Sequence, residues 1–221
     1  MNHFDAEREE ICRIGRSLFE RGYVHASAGN ISVRLPAGQG FLITPTDACL
    51  GSLQPGALAH TNTAGAQLGG ARASKTLALH LRIYAAAPQA QCVLHTHSTH
   101  LVALTLAGVW STASILPPIT PYFVMKVGPV PLIPYHRPGD PAAAELVATA
   151  IETARARGTP IRAVMLERLG PNVWHESPAG AMATLEELEE TARLWLLAGR
   201  QATALTPAQL DELRHNFGAR W

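Results

Sequence analysis

Cysteine is scarce: Cys12, Cys49 and Cys92 are the three in 221 residues, far apart and without a CxxC pair. An odd number at such spacing excludes a disulfide framework and a cysteine-ligated zinc knuckle, leaving small buried residues in a reducing compartment. A charge surplus of one sign is missing as well. Lys and Arg number 18 against 17 Asp and Glu, a formal net charge of +1, which excludes a general attraction to nucleic acid or an anionic membrane. A small neutral or locally held anionic ligand fits better. No apolar run approaches the ~18 residues that cross a bilayer, and the first residues, MNHFDAEREEICRIG, are charged and helical in pattern rather than leader-like. The expectation is a soluble, cytoplasmic protein. Repeats, low-complexity stretches and composition breaks are absent too, so residues 1–221 read as one domain.

What is present alternates between two periodicities. Asp5 is placed to cap a helix whose apolar positions Ile11, Cys12, Ile14, Leu18 and Phe19 share a face and which Gly22 ends. VHASAGNISVRL and GFLITPTD read as strands joined at PAGQG, whereas residues 51–72 show no sustained period. Ser74 is expected to cap a helix through Tyr84, QCVLHTH to be a buried strand, and STHLVALTLAG to be a helix. Seven prolines between Pro117 and Pro138 exclude a long helix there and suggest short strands or an ordered loop. Asp140 is expected to cap a helix through Ala156, IRAVMLE and PNVWH to be strands about Gly170, and Ser177 to about Ala204 to be a long helix. The class is α/β.

The chemistry concentrates where a strand meets a helix. His95 and His97, at i and i+2 on a strand, project to one face and can aim their imidazoles at one divalent ion, zinc being well suited. An isolated HxH equally describes two buried, hydrogen-bonded histidines. His100 falls out of that parity and opens the next helix, so it reads as a support behind the ligands or as structural. In SAGNIS, Gly29 lets backbone amides approach an anion and Asn30 adds a side-chain donor, although a plain glycine turn would look the same.

Taken in order, SAGNISVR, FLITPTD, Ser74-Lys75 leading into a helix with His80, and VLHTHSTH resemble the class II aldolase/adducin family of zinc-dependent sugar-phosphate enzymes. ITPTDACLG, ASKT and PPITPYFVMKVGPVPLIPYHRPGD are most similar to its 3-oxo-tetronate 4-phosphate decarboxylase subgroup. The resemblance implies a three-layer α/β/α sandwich with a mostly antiparallel central sheet, assembled as a homotetramer with sites at subunit interfaces. It implies that Gly29, Asn30, Thr44, Thr46, Ser74 and Lys75 surround the phosphate of a sugar-acid substrate, in keeping with their amides, hydroxyls and ammonium. His95 and His97 then match two of three histidine ligands for Zn2+ or another divalent metal.

Two positions depart from the family pattern. The family's acid–base glutamate in SKE is Thr76 here, and its third histidine, in a segment like LLANHGPVVW, is Leu169 in MLERLGPNVW. Glu167, His100, His136 and His175 are the other candidates to complete a metal shell. A decarboxylase tolerates these losses better than an aldolase, because departure of carbon dioxide itself delivers electrons to the carbonyl and no base need remove a proton. Metal-dependent decarboxylation to dihydroxyacetone phosphate is therefore the leading expectation, with aldol cleavage and a non-catalytic, ligand-binding family member as alternatives. Tyr122 and Tyr135 are placed to pack at an interface or to reach a neighbouring subunit's site, and Arg137 to meet a carboxylate or to pair with Asp140. LEELEETARLW reads as a solvated, partly packed helix.

Overall fold

A computed structural model describes residues 4–221. Helix α1, Asp5–Glu20, buries Ile11, Ile14 and Leu18 along one face. Asp5 is its first helical residue rather than its cap, and with Glu7 it places acidic charge on the positive end of the helix. Strands β1 (Asn30–Arg34), β2 (Phe41–Ile43), β3 (Ala59–Thr61) and β4 (Gln67–Gly69) follow. Strand β1 is shorter than expected because Ala26 and Gly29 take positive φ, 48° and 83°, and hold the preceding segment in a turn. Strands β3 and β4 went unforeseen: at three residues each, they are too short to show a period.

Helix α2 (Leu77–Ala86), strand β5 (Cys92–His95) and helix α3 (Thr99–Ala107) come next. The proline-rich segment carries a π-helical turn, Phe123–Val127, and the two-residue strand β6, Leu132–Ile133. Helix α4, Pro141–Ala156, starts where Asp140 accepts from Ala142 N, as expected. Strands β7 (Ala163–Leu166) and β8 (Gly170–His175) lead to helices α5 (Pro178–Leu197) and α6 (Pro207–Phe217). Ser177 caps α5 by accepting from Gly180 N, and the helix stops seven residues before the expected Ala204. Thr206 and Gln209 form a capping box that starts α6.

The sheet runs β4-β3-β2-β1-β5-β8-β7-β6, every neighbouring pair antiparallel except β6 with β7. Alternation of side chains divides it into two cores. Ile31, Val33, Cys92, Leu94, Met165 and Val173 face α1, α3 and α5. Val93, Val164, Leu166 and Trp174 face α2 and α4, meeting Ile83, Tyr84, Val147 and Ile151. The three layers are α, β and α, and each fully buried Leu or Ile contributes roughly 1.5–3 kcal/mol toward holding them together. Among the described residues, no helix is long and apolar enough to cross a membrane.

Candidate active site

At one edge of the sheet, the end of β5 meets the start of β1, the start of β8 and the end of β7. Register pairs Asn30 with His95 and His95 with Asn172, so these three side chains form a polar row on the face covered by α2 and α4. A cavity of about 440 Å³ opens over this edge, the size of a small-ligand site. The beginnings of α2 and α4 both border it, and helix N-termini favour an anion.

Two glycines allow this edge to close. A Cβ on Gly29 would lie 2.8 Å from His95 O, and one on Gly170 would lie 1.9 Å from Thr96 O. Both also have positive φ, 83° and 144°. Glycine at these places lets the turn before β1 and the start of β8 reach the backbone that carries both histidines.

His95 is 4% exposed, and its Nδ1 donates to Pro171 O at 2.9 Å. A carbonyl only accepts, so Nδ1 holds the proton and Nε2 keeps a free lone pair, the state a metal requires. Burial first, then the neighbouring His97, pushes the His95 pKa down to about 4 against an opposing pull from the Pro171 carbonyl. His97 is half-buried and lies beyond the strand end; burial and His25 lower its pKa as well. The two ring centres are 5.1 Å apart at 70°. Two imidazoles bound tetrahedrally at ~2.1 Å would have centres about 5.2 Å apart, so the pair fits two corners of a divalent-ion site.

A third corner is not in place. Among the described residues, no group of three His, Cys, Asp or Glu side chains is arranged to hold a metal. Leu169 lines the cavity and offers no donor. Glu167 also lines it, but its Oε2 accepts from Tyr135 N at 2.9 Å. His175 lies at the other end of β8, opposite Cys92 and packed against Gly180. His100 is structural: Glu189 Oε1 accepts from its N at 2.9 Å and its Nδ1 at 2.8 Å. His136 does border the cavity, with Nδ1 donating to Pro134 O at 2.8 Å.

Of the residues expected around a phosphate, Gly29, Asn30, Thr46, Ser74 and Lys75 line the cavity. Thr44 does not: it is fully buried, and its hydroxyl accepts from Ile31 N at 3.1 Å to tie β1 to β2. Ser74 does not cap α2, since Thr76 holds that position. Instead Ser74 Oγ accepts from Thr76 N at 3.3 Å and bonds Thr76 Oγ1 at 2.9 Å. The Thr46 and Ser74 amides already donate to Arg72 O and Thr44 O, so these two residues offer an anion their hydroxyls rather than their backbone. Lys75 Nζ lies 3.7 Å from Asp47 Oδ2, an exposed pair that constrains it little. Arg137 forms the foreseen pair with Asp140 at 3.8 Å and also lines the cavity.

A second polar group lies under the cavity. Tyr84 OH donates to Ser32 O at 3.0 Å, Ser32 Oγ to Tyr84 OH at 2.9 Å, and His80 Nδ1 to Ser32 Oγ at 2.7 Å. This assignment gives each proton one acceptor and leaves His80 Nε2, buried and unpartnered, as a lone-pair site. Both amide atoms of Asn172 and Oδ1 of Asn30 are unpartnered too. His25, within VHASAGNISVRL, has its ring 6.4 Å from that of His97. Asn172 was overlooked within PNVWH, where a polar residue between apolar ones was the available signal.

Fold and site together define a class. The model of the Class II Aldolase and Adducin N-terminal domain matches residues 9–196, and the chain belongs to this family. Among individual proteins, it is 58% identical over 219 residues, 97% of each chain, to the 3-oxo-tetronate 4-phosphate decarboxylase of Cupriavidus necator. The protein of that name from Escherichia coli K12 is 42% identical over 94% of each chain. The crystal structure of Escherichia coli YgbL superposes with a TM-score of 0.86 at 40% identity, covering 95% of this chain and 98% of that one.

Proposed function

We propose that this chain decarboxylates a 3-oxo-tetronate 4-phosphate to dihydroxyacetone phosphate and carbon dioxide. The observation that carries the reading is one cavity lined at once by His95, His97, Lys75 and Arg137, in a chain 58% identical to a decarboxylase of that name. His95 and His97 would hold zinc or a similar divalent ion, which supplies positive charge beside the oxygen that gains electrons. Lys75, the Thr46 and Ser74 hydroxyls and the N-termini of α2 and α4 bind the phosphate. Arg137 orients the carboxylate that departs. As the bond from the carboxylate carbon to C2 breaks, its electron pair moves toward the C3 carbonyl; one proton then returns to C2 and completes the product. Thr76 cannot act as a base near neutral pH, and this sequence asks none of it. A homotetramer with interfacial sites belongs to the same reading, supported by Tyr122 and Tyr135, which are 62% and 63% exposed.

Thr76 and Leu169 support a second reading, a family member that binds a phosphorylated ligand without turnover. Purified protein of measured metal content, given the substrate, separates the two. Equimolar carbon dioxide and dihydroxyacetone phosphate establish the decarboxylase. An aldehyde fragment beside dihydroxyacetone phosphate marks aldol cleavage, and ligand-induced thermal stabilisation without products marks the binding protein.

A further inference from the structure

We propose that His136 is the group that returns the proton to C2 after carbon dioxide leaves. The inference rests on the decarboxylation proposed above, which needs one proton donor, and Thr76 stands where the family's acid–base glutamate would supply it. His136 borders the same cavity as His95 and His97 and is the chain neighbour of Arg137, which orients the departing carboxylate. C2 is the atom bonded to that carboxylate, so a side chain beside Arg137 is placed to reach it.

The loop that carries His136 and Arg137 is fixed at both ends. Glu167, just past the end of β7, donates from its N to Ile133 O at 3.0 Å and accepts from Tyr135 N at 2.9 Å through Oε2. Asp140 donates from its N to Arg137 O at 3.1 Å and accepts from Ala142 N at 3.0 Å, which joins the loop to α4. Within this frame the half-buried His136 turns its Nδ1 to Pro134 O at 2.8 Å. A carbonyl only accepts, so Nδ1 keeps its proton, and Nε2, which has no hydrogen-bond partner among the described residues, is the nitrogen that gains and releases one.

The other ionisable groups bordering the cavity have work elsewhere. Asp140 and Glu167 accept from backbone amides, and Lys75 lies by Asp47 on the phosphate side. His95 and His97 serve the metal, and the Arg137 guanidinium keeps its protons. Imidazole is the side chain that exchanges a proton near neutral pH, and its cation complements the substrate's phosphate and carboxylate. In the step, the Nε2–H bond breaks and the proton bonds to C2, using the electron pair that the departing carboxylate left in the C2–C3 enediolate. The C3 oxygen returns to a carbonyl. The ring is left neutral, its Nδ1 proton still on Pro134 O, and water reprotonates Nε2.

The test separates an acid from a scaffold. Wild type, His136→Asn and His136→Gln are loaded with zinc and given substrate in D2O. Asparagine keeps an N–H near the place of Nδ1, and glutamine keeps one near the place of Nε2, but neither releases a proton. Both variants should release carbon dioxide at least about 100-fold more slowly, while holding zinc and melting as wild type does. Wild type should place deuterium on one face of the product carbon and the variants on both, read by NMR after enzymatic reduction to glycerol phosphate makes the two positions distinct. A smaller loss of rate, or deuterium still on one face in the variants, overturns the assignment. Zinc lost from the variants overturns it too, and marks His136 as a ligand. Wild type that releases no carbon dioxide sinks the reaction and this inference with it; an active wild type with unaffected variants sinks this inference alone.

Discussion

Replacing Glu189 tests how helix α3, which begins two residues after His97, is held in place. Ser98 occupies its N-cap position but makes no capping bond; its hydroxyl bonds Thr96 Oγ1 at 2.7 Å instead. The cap comes from α5. Glu189, 4% exposed, accepts from His100 N at 2.9 Å, His100 Nδ1 at 2.8 Å and Leu101 N at 3.1 Å. Glu189→Ala leaves these donors unmatched and opens a cavity. Loss of the cap on the two backbone amides costs about 0.5–2 kcal/mol, and loss of the further bond from His100 Nδ1 about 1.5–3 kcal/mol, so roughly 2–5 kcal/mol in all is expected. At ~2–4 °C per kcal/mol for a domain of this size, Tm should fall by about 4–20 °C. Glu189→Gln keeps one oxygen for His100 but turns an NH2 toward Leu101 N, and should lose about 1–3 kcal/mol. Urea denaturation and calorimetry in chelator provide the comparison. A Glu189→Ala protein within about 1 kcal/mol of wild type, or a glutamine variant as damaged as the alanine one, refutes the capping argument.

Two further predictions concern the buried polar groups. Burial, then the nearby His95, pushes the His80 pKa down to about 3, so between pH 6.5 and 3 the unfolded chain binds a proton that the native ring refuses. That contribution to stability is complete above about pH 6.5 and is lost as pH falls, by up to ~1.4 kcal/mol per pH unit. Urea midpoints at pH 7, 6 and 5 in chelator should therefore decline more steeply for wild type than for His80→Gln, and parallel declines would contradict the assignment. Asn172 is fully buried with both amide atoms unpartnered, so Asn172→Leu, close in shape, should gain about 1–3 kcal/mol. A loss of stability in that variant, read from the urea midpoint at unchanged m-value, would mean that the amide is satisfied in solution.

Much of the architecture was legible because the long helices carry periodic apolar faces and explicit caps, as Asp140 and Ser177 show. Short strands were not: β3 exists through pairing with β2, and β4 through pairing with β3, causes that no local pattern reports. Within the site, chain order placed His95, His97, Ser74 and Lys75 on one cavity, since motif spacing reflects where β5 and α2 end and begin. Thr44 misled because its hydroxyl alternates to the inside of the fold, where Ile31 N claims it. Glu189 lay hidden in a charged run that reads as solvated, and its partners are about 90 positions away in the chain. The neighbourhood of His25 and His97 is likewise a matter of tertiary approach, set by the turn at Gly29.

Decarboxylation is read directly from substrate labelled with 13C at the carboxylate, followed by NMR in D2O with metal-loaded enzyme. Labelled carbon dioxide and bicarbonate should equal in amount the dihydroxyacetone phosphate formed, which carries one deuterium at the carbon that lost the carboxylate. Label retained in a cleavage fragment, or substrate that persists unchanged beside fully metal-loaded protein, would contradict it.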